Sequence, residues 1–298
     1  MTVRSSVLAA AAVISIAGLL GGCSAATPTG SAATPVVGSG SSDLSRLLAQ
    51  IYAGGLRSTG VDVEVKEDLG DRADYLAALD RGEVTMVPDL TGELLRTFDT
   101  LSGATEAEDV YTDLNRSLPA GLSVGDYATA EDRLAIAVAS GSEFADGTTV
   151  TDFLRREDRT VGIVDGQVDP TDVVRAFPTR QLPTFTGAAV TDVVQYSDAQ
   201  TAVEGLNAGE VESLAIRTAS FGPLAKDLTT LPDEDHVYPA QNVVPLYRNG
   251  LLSESALRSF SVVAGELTTA DLADMIGEVR SGVPSGDVAG RWLGEHTL

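Results

Sequence analysis

Few residues of this sequence have the types and spacing that chemistry requires. The loop Gly38–Ser42 precedes a helical pattern, where backbone N–H groups are able to hold an anion. It lacks the lysine of a phosphate loop and the third glycine of a dinucleotide fingerprint. Asp165, Asp169 and Asp172 do not have the spacing of the standard calcium loop, and Asp169 is predicted to cap a helix instead. We predict neither an enzyme nor a bound metal or cofactor.

Composition excludes several other classes of protein. The chain has 298 residues, and its 43 acidic against 20 basic side chains give a net charge of −23. Nucleic-acid binding needs clustered lysine and arginine, which the sequence lacks. One cysteine, Cys23, and two histidines, His236 and His296, leave no material for a disulfide framework or a zinc site. The length suits one large domain or two lobes.

The N-terminus predicts export and lipid attachment. Arg4 precedes the apolar run Val7–Leu20, which is too short to span a bilayer and typical of a secretory signal. The run ends in Leu20-Gly21-Gly22-Cys23, which resembles the lipobox of bacterial lipoproteins. That resemblance implies removal of residues 1–22 and a lipid on Cys23, which would anchor the protein to the outer face of the cytoplasmic membrane. A core helix with a chance cysteine is the alternative. Residues 23–34 are predicted to be a flexible tether.

From Pro35 onward, helical and strand patterns alternate, which predicts an α/β fold. A helix capped by Ser42 or Asp43 follows the Gly38–Ser42 loop. Val61–Val65 is predicted to be a half-buried strand. A helix over Ala73–Arg81 then ends at Gly82, and a strand follows over Val84–Val87.

A short repeat favours two lobes of similar construction. Leu79–Val84 and Leu206–Val211 share the pattern L-x-x-G-E-V, and each follows an alanine-rich helical segment. Leu134–Val138 and Asn242–Tyr247 are candidate crossovers between the lobes. Three helices are predicted in the tail, over Ser253–Glu266, Thr269–Arg280 and Ser285–Leu293.

Several blocks resemble the glycine betaine/choline/carnitine-binding proteins of osmoprotectant ABC importers. The blocks are VVGSGSSDLSRLLAQIYAGGL, LGDRADYLAALDRGEVTMVPDLTGELL, LAIAV, GEVESLAIRTAS, the Asn242–Leu246 stretch and VAGRWL. The resemblance implies a two-lobed type II periplasmic-binding-protein fold with a cleft between the lobes. Lobe one would comprise residues 35–138 and 240–298, and lobe two residues 139–239. An ABC permease and ATPase would be the partners, and the membrane would be contacted through the lipid alone.

In that family a quaternary ammonium is held by a cage of four tyrosines. The positions that match the cage are occupied in this sequence by Leu90, Leu134, Arg217 and Gln241. The family's neighbouring threonine and opening-helix glutamine become Glu93 and Ser45, while Asn242 is unchanged. The cage is therefore replaced, and a small polar, phenolic or carboxylated solute is the predicted ligand. The predicted binding residues are Ser39, Ser41, Ser42, Asp89, Leu90, Glu93, Leu134, Arg217, Thr218, Gln241 and Asn242, with Thr91 and Ser220 beside them.

Three alternatives remain open at this point. A relocated cage built from Tyr127, Tyr196 and Tyr238 would preserve osmoprotectant binding. Arg217 would instead be structural if it formed an ion pair with Glu93 or Asp89 across a closed cleft. A sensor or scavenging lipoprotein without a dedicated permease would share the same fold.

Overall fold

The computed structural model describes residues 34–156, 159–175 and 190–296. The predicted signal over residues 1–22, the lipidation site at Cys23 and the tether up to residue 33 lie outside these ranges.

The first of two sheets has four strands that run in one direction and one strand that runs in the opposite direction. Its strands are β1 (Val36–Gly38), β2 (Glu64–Lys66), β3 (Met86–Leu90), β4 (Leu122–Val124) and β10 (Val243–Arg248), in the order β2-β1-β3-β10-β4. β1 is parallel to β2 and β3, whereas β10 is antiparallel to β3 and β4. The helices of this part are α1 (Asp43–Ser58), α2 (Arg72–Asp80), α3 (Thr91–Phe98), α4 (Ala107–Ser117), α8 (Glu254–Glu266), α9 (Thr269–Arg280) and α10 (Ser285–Glu295).

The second sheet is built mainly from the middle of the chain. Its strands are β5 (Leu134–Ala139), β6 (Arg159–Val164), β7 (Val190–Tyr196), β8 (Ser213–Arg217) and β9 (Leu228–Thr230), in the order β7-β6-β8-β5-β9. It carries α5 (Val150–Leu154), α6 (Pro170–Arg175), α7 (Ala199–Ala208) and a 3-10 helix (Pro223–Asp227).

The strand β5 corrects one predicted boundary. Lobe one was expected to extend to residue 138, but β5 pairs antiparallel with β8 and β9 and so belongs to the second sheet. The chain therefore crosses between the sheets at Glu131–Arg133. It returns at Ala240–Asn242, and the two crossings lie side by side, because Asp132 N–H donates to the Gln241 carbonyl at 3.0 Å. An apolar run such as β5 is compatible with the interior of either sheet, so its residue pattern does not reveal which strands it pairs with.

The repeat noted in the sequence forms the same junction in both sheets. Gly82 ends the α2 turn with φ +74°, and Gly209 ends α7 with φ +76°, a conformation that glycine adopts without steric cost. Each glycine leads into a strand, β3 in one sheet and β8 in the other. The tail folds into the three predicted helices, α8, α9 and α10, and all three pack against α1.

Helix α1 forms the base of the first lobe. The Ser42 hydroxyl accepts the Ser45 N–H at 3.1 Å and caps the helix, while Leu47, Leu48 and Ile51 are fully buried on one face. Because β1, β2 and β3 are parallel, the segments that follow them meet at one edge of the sheet. This edge is where an open α/β sheet forms its binding crevice.

Candidate functional site

A cavity of about 630 Å³ lies at the carboxyl ends of these three parallel strands. Its lining comes from the start of α1, the start of α2 and the end of β3, with Gly166 contributed from the turn after β6 of the second sheet. Apolar side chains of Leu44, Leu48, Pro88 and Leu90 form part of the wall. Serine hydroxyls, two aspartates, an arginine and a tyrosine form the rest. This size and mixture suit a small organic solute.

The glycine-serine loop presents hydroxyls to the cavity rather than free backbone donors. Ser39 N–H donates to the Lys66 carbonyl at 3.1 Å, and Ser41 N–H to the Gly70 carbonyl at 3.2 Å. Gly40 N–H donates to the Ser45 hydroxyl at 2.8 Å. Three N–H groups of the loop are therefore used within the protein.

Arg72, at the start of α2, is the one cation of the described lining. Its Nε and Nη2 contact the two oxygens of Asp89 at 3.0 and 3.1 Å, and its Nη1 contacts Glu93 Oε2 at 3.0 Å. Tyr75 donates its hydroxyl to Asp89 Oδ2 at 2.7 Å. Burial acts to lower the pKa of Arg72, but the charge and hydrogen bonds of Asp89, together with Tyr75 and Glu93, outweigh it. The pKa is therefore raised, and the guanidinium stays charged.

Sequence reasoning did not select Arg72 or Tyr75. Both lie on one face of α2, three residues apart, and this spacing was the available signal. It gave no indication that α2 begins beside the end of β3, which only the fold establishes.

Glu93 lies beside the cavity in a buried network that joins the two sheets. Its carboxylate contacts Arg72, Arg96 and Arg217. Arg217 belongs to β8 of the second sheet, and its Nη2 lies 3.3 Å from Glu93 Oε1. Gln241 accepts the Glu93 N–H at 3.0 Å and holds the residue in place. Burial acts to raise the pKa of Glu93, but the three arginines outweigh it, so the pKa lies below its ordinary value. Arg217 thus forms the cross-cleft ion pair considered as an alternative, with Glu93 rather than Asp89.

Four predicted binding residues line the cavity: Ser41, Ser42, Asp89 and Leu90. Glu93, Arg217 and Gln241 belong to the ion network described above.

The remaining predicted residues have places in the fold away from the lining. Ser39 is buried, and Leu134 packs in the core of the second sheet. Thr218 bonds to Glu131 and Arg133 at the first crossing. Asn242 donates its side-chain amide to the Ala128 carbonyl at 2.9 Å. The Thr91 hydroxyl accepts the Asn242 N–H, and the Ser220 hydroxyl donates to the Asp132 carboxylate.

The tyrosines considered for a relocated cage lie elsewhere. Tyr127 contacts the ring of Tyr111 with centroids 4.9 Å apart, and Tyr196 donates its hydroxyl to Glu210 at 3.3 Å. Tyr238 is buried in the core of the second lobe. Within the described part of the chain, Tyr75 is the single aromatic residue of the lining.

The described ranges contain neither a metal-binding cluster nor a membrane-spanning helix. No cluster of three histidine, cysteine or acidic side chains there is arranged to hold a metal ion. No described helix combines the length and apolar character needed to cross a membrane.

Comparison with known proteins identifies the family. Residues 34–295 match the model named OpuAC, the substrate-binding domain of ABC-type glycine betaine transport systems. A glycine betaine/carnitine/choline ABC transporter structure aligns with 15% identity and a TM-score of 0.72, covering 88% of this chain and 98% of that one. Apo YehZ from Escherichia coli aligns with 21% identity and a TM-score of 0.68, covering 88% and 99%.

Lactococcal OpuAC, in a closed conformation complexed with glycine betaine, aligns with 14% identity and a TM-score of 0.54, covering 88% of this chain and 96% of that one. A comparison with curated proteins gave no match. The predicted two-lobed α/β fold is confirmed by these structural likenesses. The chain therefore belongs to the OpuAC family, the substrate-binding domains of ABC-type glycine betaine transport systems.

Proposed function

We propose that this protein is the exported solute-binding lipoprotein of an ABC importer whose ligand is a small polar, phenolic or carboxylated solute and not a quaternary ammonium. The observation that carries the proposal is the cavity wall, which combines an arginine, serine hydroxyls and leucines with one tyrosine among the described residues.

A quaternary ammonium has no N–H to donate, so its capture depends on the negative faces of aromatic rings. Each ring contributes about 0.5–2 kcal/mol, and a cage gains its affinity by summing several of them. Tyr75 supplies one ring, and its neighbour Arg72 carries a charge of the same sign as the ligand. The wall therefore lacks most of the attraction on which betaine capture depends.

Lipid attachment at Cys23 and export to the outer face of the cytoplasmic membrane complete the proposal. Their support is the order of Arg4, an apolar run, two glycines and a cysteine at the N-terminus. Radioactive lipid precursor should label the chain, and Cys23→Ala should abolish the label.

Solute binding would favour closure of the cleft, because a ligand between the lobes touches both of them only in the closed state. Gly166, from the second lobe, lies in the lining beside residues of the first lobe, as such bridging requires. The closed protein would then deliver its solute to a membrane permease driven by an ATPase.

Isothermal titration calorimetry of the mature protein tests the ligand proposal. Glycine betaine, choline and carnitine should bind weakly or not at all, whereas a panel of polyols and phenolic acids should contain the binder. Submicromolar binding of glycine betaine would overturn the proposal.

A further inference from the structure

Arg72 and Asp89, two of the three charged residues of the described cavity lining, are paired with each other. Arg72 makes three contacts with two carboxylates, at 3.0–3.1 Å. Both oxygens of Asp89 are doubly engaged. Oδ1 accepts from Arg72 Nη2 and the Leu90 N–H, and Oδ2 accepts from Arg72 Nε and the Tyr75 hydroxyl. Asp89 and Glu93 therefore use three of the five guanidinium N–H groups of Arg72, and each oxygen of Asp89 accepts two hydrogen bonds.

Behind this wall, further ion pairs between arginines and acidic residues extend from the first lobe to the second. Glu93 is contacted by Arg72, Arg96 and Arg217, and Arg96 contacts Asp172 at 3.0 Å. With Asp89, the network contains three arginines and three acidic residues, so its formal charge is zero. Asp71, the other acidic residue of the lining, is exposed and caps α2 by accepting the Asp74 N–H at 3.2 Å.

This arrangement disfavours a charged solute of either sign. A carboxylate would share Arg72 with Asp89 and Glu93, and it would lie close to these two buried acids, whose like charge repels it. A cation would lie near the guanidinium with one aromatic ring to attract it. An uncharged solute meets neither penalty.

The rest of the wall offers hydroxyls and apolar surface. Ser41, Ser42 and Ser45 supply neutral hydrogen-bonding groups, while Leu44, Leu48 and Leu90 supply apolar contact. We infer that the cleft recognises an uncharged solute that has an apolar body and several hydroxyl groups. This inference rests on the proposed function and narrows its ligand class.

A matched trio of probes isolates the effect of charge. The probes are 4-hydroxybenzyl alcohol, 4-hydroxybenzoate and (4-hydroxybenzyl)trimethylammonium, which share a body and differ in the charged group. Calorimetry at neutral pH should show the alcohol binding about tenfold or more tightly than either charged probe. Tighter binding of the carboxylate overturns the inference but leaves the proposed function standing. Tighter binding of the ammonium overturns both. Failure of the alcohol to bind also overturns the inference.

Two substitutions within the ion network test whether its charge balance causes the preference. Glu93→Gln leaves three arginines against two acids, so affinity for 4-hydroxybenzoate should rise about tenfold. Arg72→Met leaves the acids in excess, so affinity for the ammonium probe should rise instead. Arg116→Gln, at a side chain that is 75% exposed within α4, is the matched control and should change neither. Circular dichroism establishes that each variant is folded. If the folded variants rank the three probes as wild type does, the inference is overturned. Titration of the three probes into wild type tests the inference without any substitution.

Discussion

At the scale of single residues, Glu93 is the carboxylate on which the site depends most. It is buried and contacts three arginines, so replacing it leaves several cations without their partner. Glu93→Gln should reduce the free energy of unfolding by about 3 kcal/mol, as for other broken buried ion pairs. Urea denaturation measures the loss. Arg116→Gln, in an exposed pair, should stay within about 0.5 kcal/mol of wild type. Equal losses for the two variants would contradict the buried-hub interpretation.

The pH dependence of stability should carry the same signature. Because the pKa of Glu93 is lower in the folded state than in the unfolded chain, its ionised form stabilises the fold above the ordinary glutamate pKa. That contribution is lost as the pH falls from about 4.5 through the folded pKa. Wild type should therefore lose stability more steeply than Glu93→Gln over this range. Urea midpoints measured at a series of acidic pH values test this, and parallel curves would refute it.

Glu131, at the first crossing, should affect the pH dependence of stability in the opposite direction to Glu93. Burial raises its pKa, and the nearby Arg133 offsets this only in part. A raised carboxyl pKa means that the ionised form costs stability at neutral pH, and that this cost disappears as the pH falls through the folded value. Glu131→Gln should therefore be more stable than wild type at neutral pH. Urea unfolding of the two proteins decides it, and a loss of stability would show that the Arg133 pair dominates.

The residues of the site show how far sequence reasoning reaches. It selected Glu93 and Arg217 as binding residues from their positions in a family pattern, and the structure places them in contact with each other. It selected Asp89 and Leu90, which do line the cavity. It missed Arg72, because an arginine at the first turn of a helix is ordinarily a solvated charge. The ion pairs join residues far apart in the chain, and no local pattern encodes them.

At the scale of elements, α3 lies unusually close to the second crossing. A Cβ atom on Gly92 would lie 2.6 Å from the Ala240 carbonyl oxygen and 2.8 Å from Gln241 Nε2. Gly92→Ala should therefore push α3 away from the crossing, disturb the Gln241 contact with Glu93, and cost about 1–3 kcal/mol. Gly103→Ala, where nothing lies within 4 Å, is the control and should be near neutral. Urea denaturation measures the free energy of unfolding of both variants. If Gly92→Ala is as stable as wild type, the second crossing can move to make room for the added methyl group at little cost.

Local signals predicted elements better than they predicted sheet membership. Gly82 and Gly209 each mark a helix end, because the left-handed conformation is a property of the residue itself. The predicted strand at Val61–Val65 is observed instead at Glu64–Lys66, where its limits are set by pairing with β1. β5 was assigned to the wrong lobe for the same reason, since pairing partners lie far away in sequence.

At the scale of the whole molecule, ion pairs between described residues join the two lobes. Lys226 contacts Asp274 at 2.6 Å, and two further pairs lie at the Glu93 network. Arg217 contacts Glu93 at 3.3 Å, and Arg96 contacts Asp172 at 3.0 Å. The paired crossings at Asp132 and Gln241 also connect the two sheets. The crossings are covalent and permanent, whereas the ion pairs break when the lobes separate. The balance between open and closed forms in the absence of solute should therefore depend on these pairs.

Salt should shift that balance towards the open form. The Arg96 side chain is 49% exposed, so its pair with Asp172 is accessible to screening and contributes at most about 1 kcal/mol. The Debye screening length falls to about 3 Å at 1 M salt, which is comparable to the distance between the two charged groups. The radius of gyration from small-angle X-ray scattering should therefore increase between about 20 mM and about 1 M sodium chloride. Arg96→Gln should show the larger radius already at low salt, with a weaker further response, whereas Arg116→Gln should behave as wild type. Identical radii for wild type and Arg96→Gln at low salt would show that the exposed pair between Arg96 and Asp172 does not hold the lobes together.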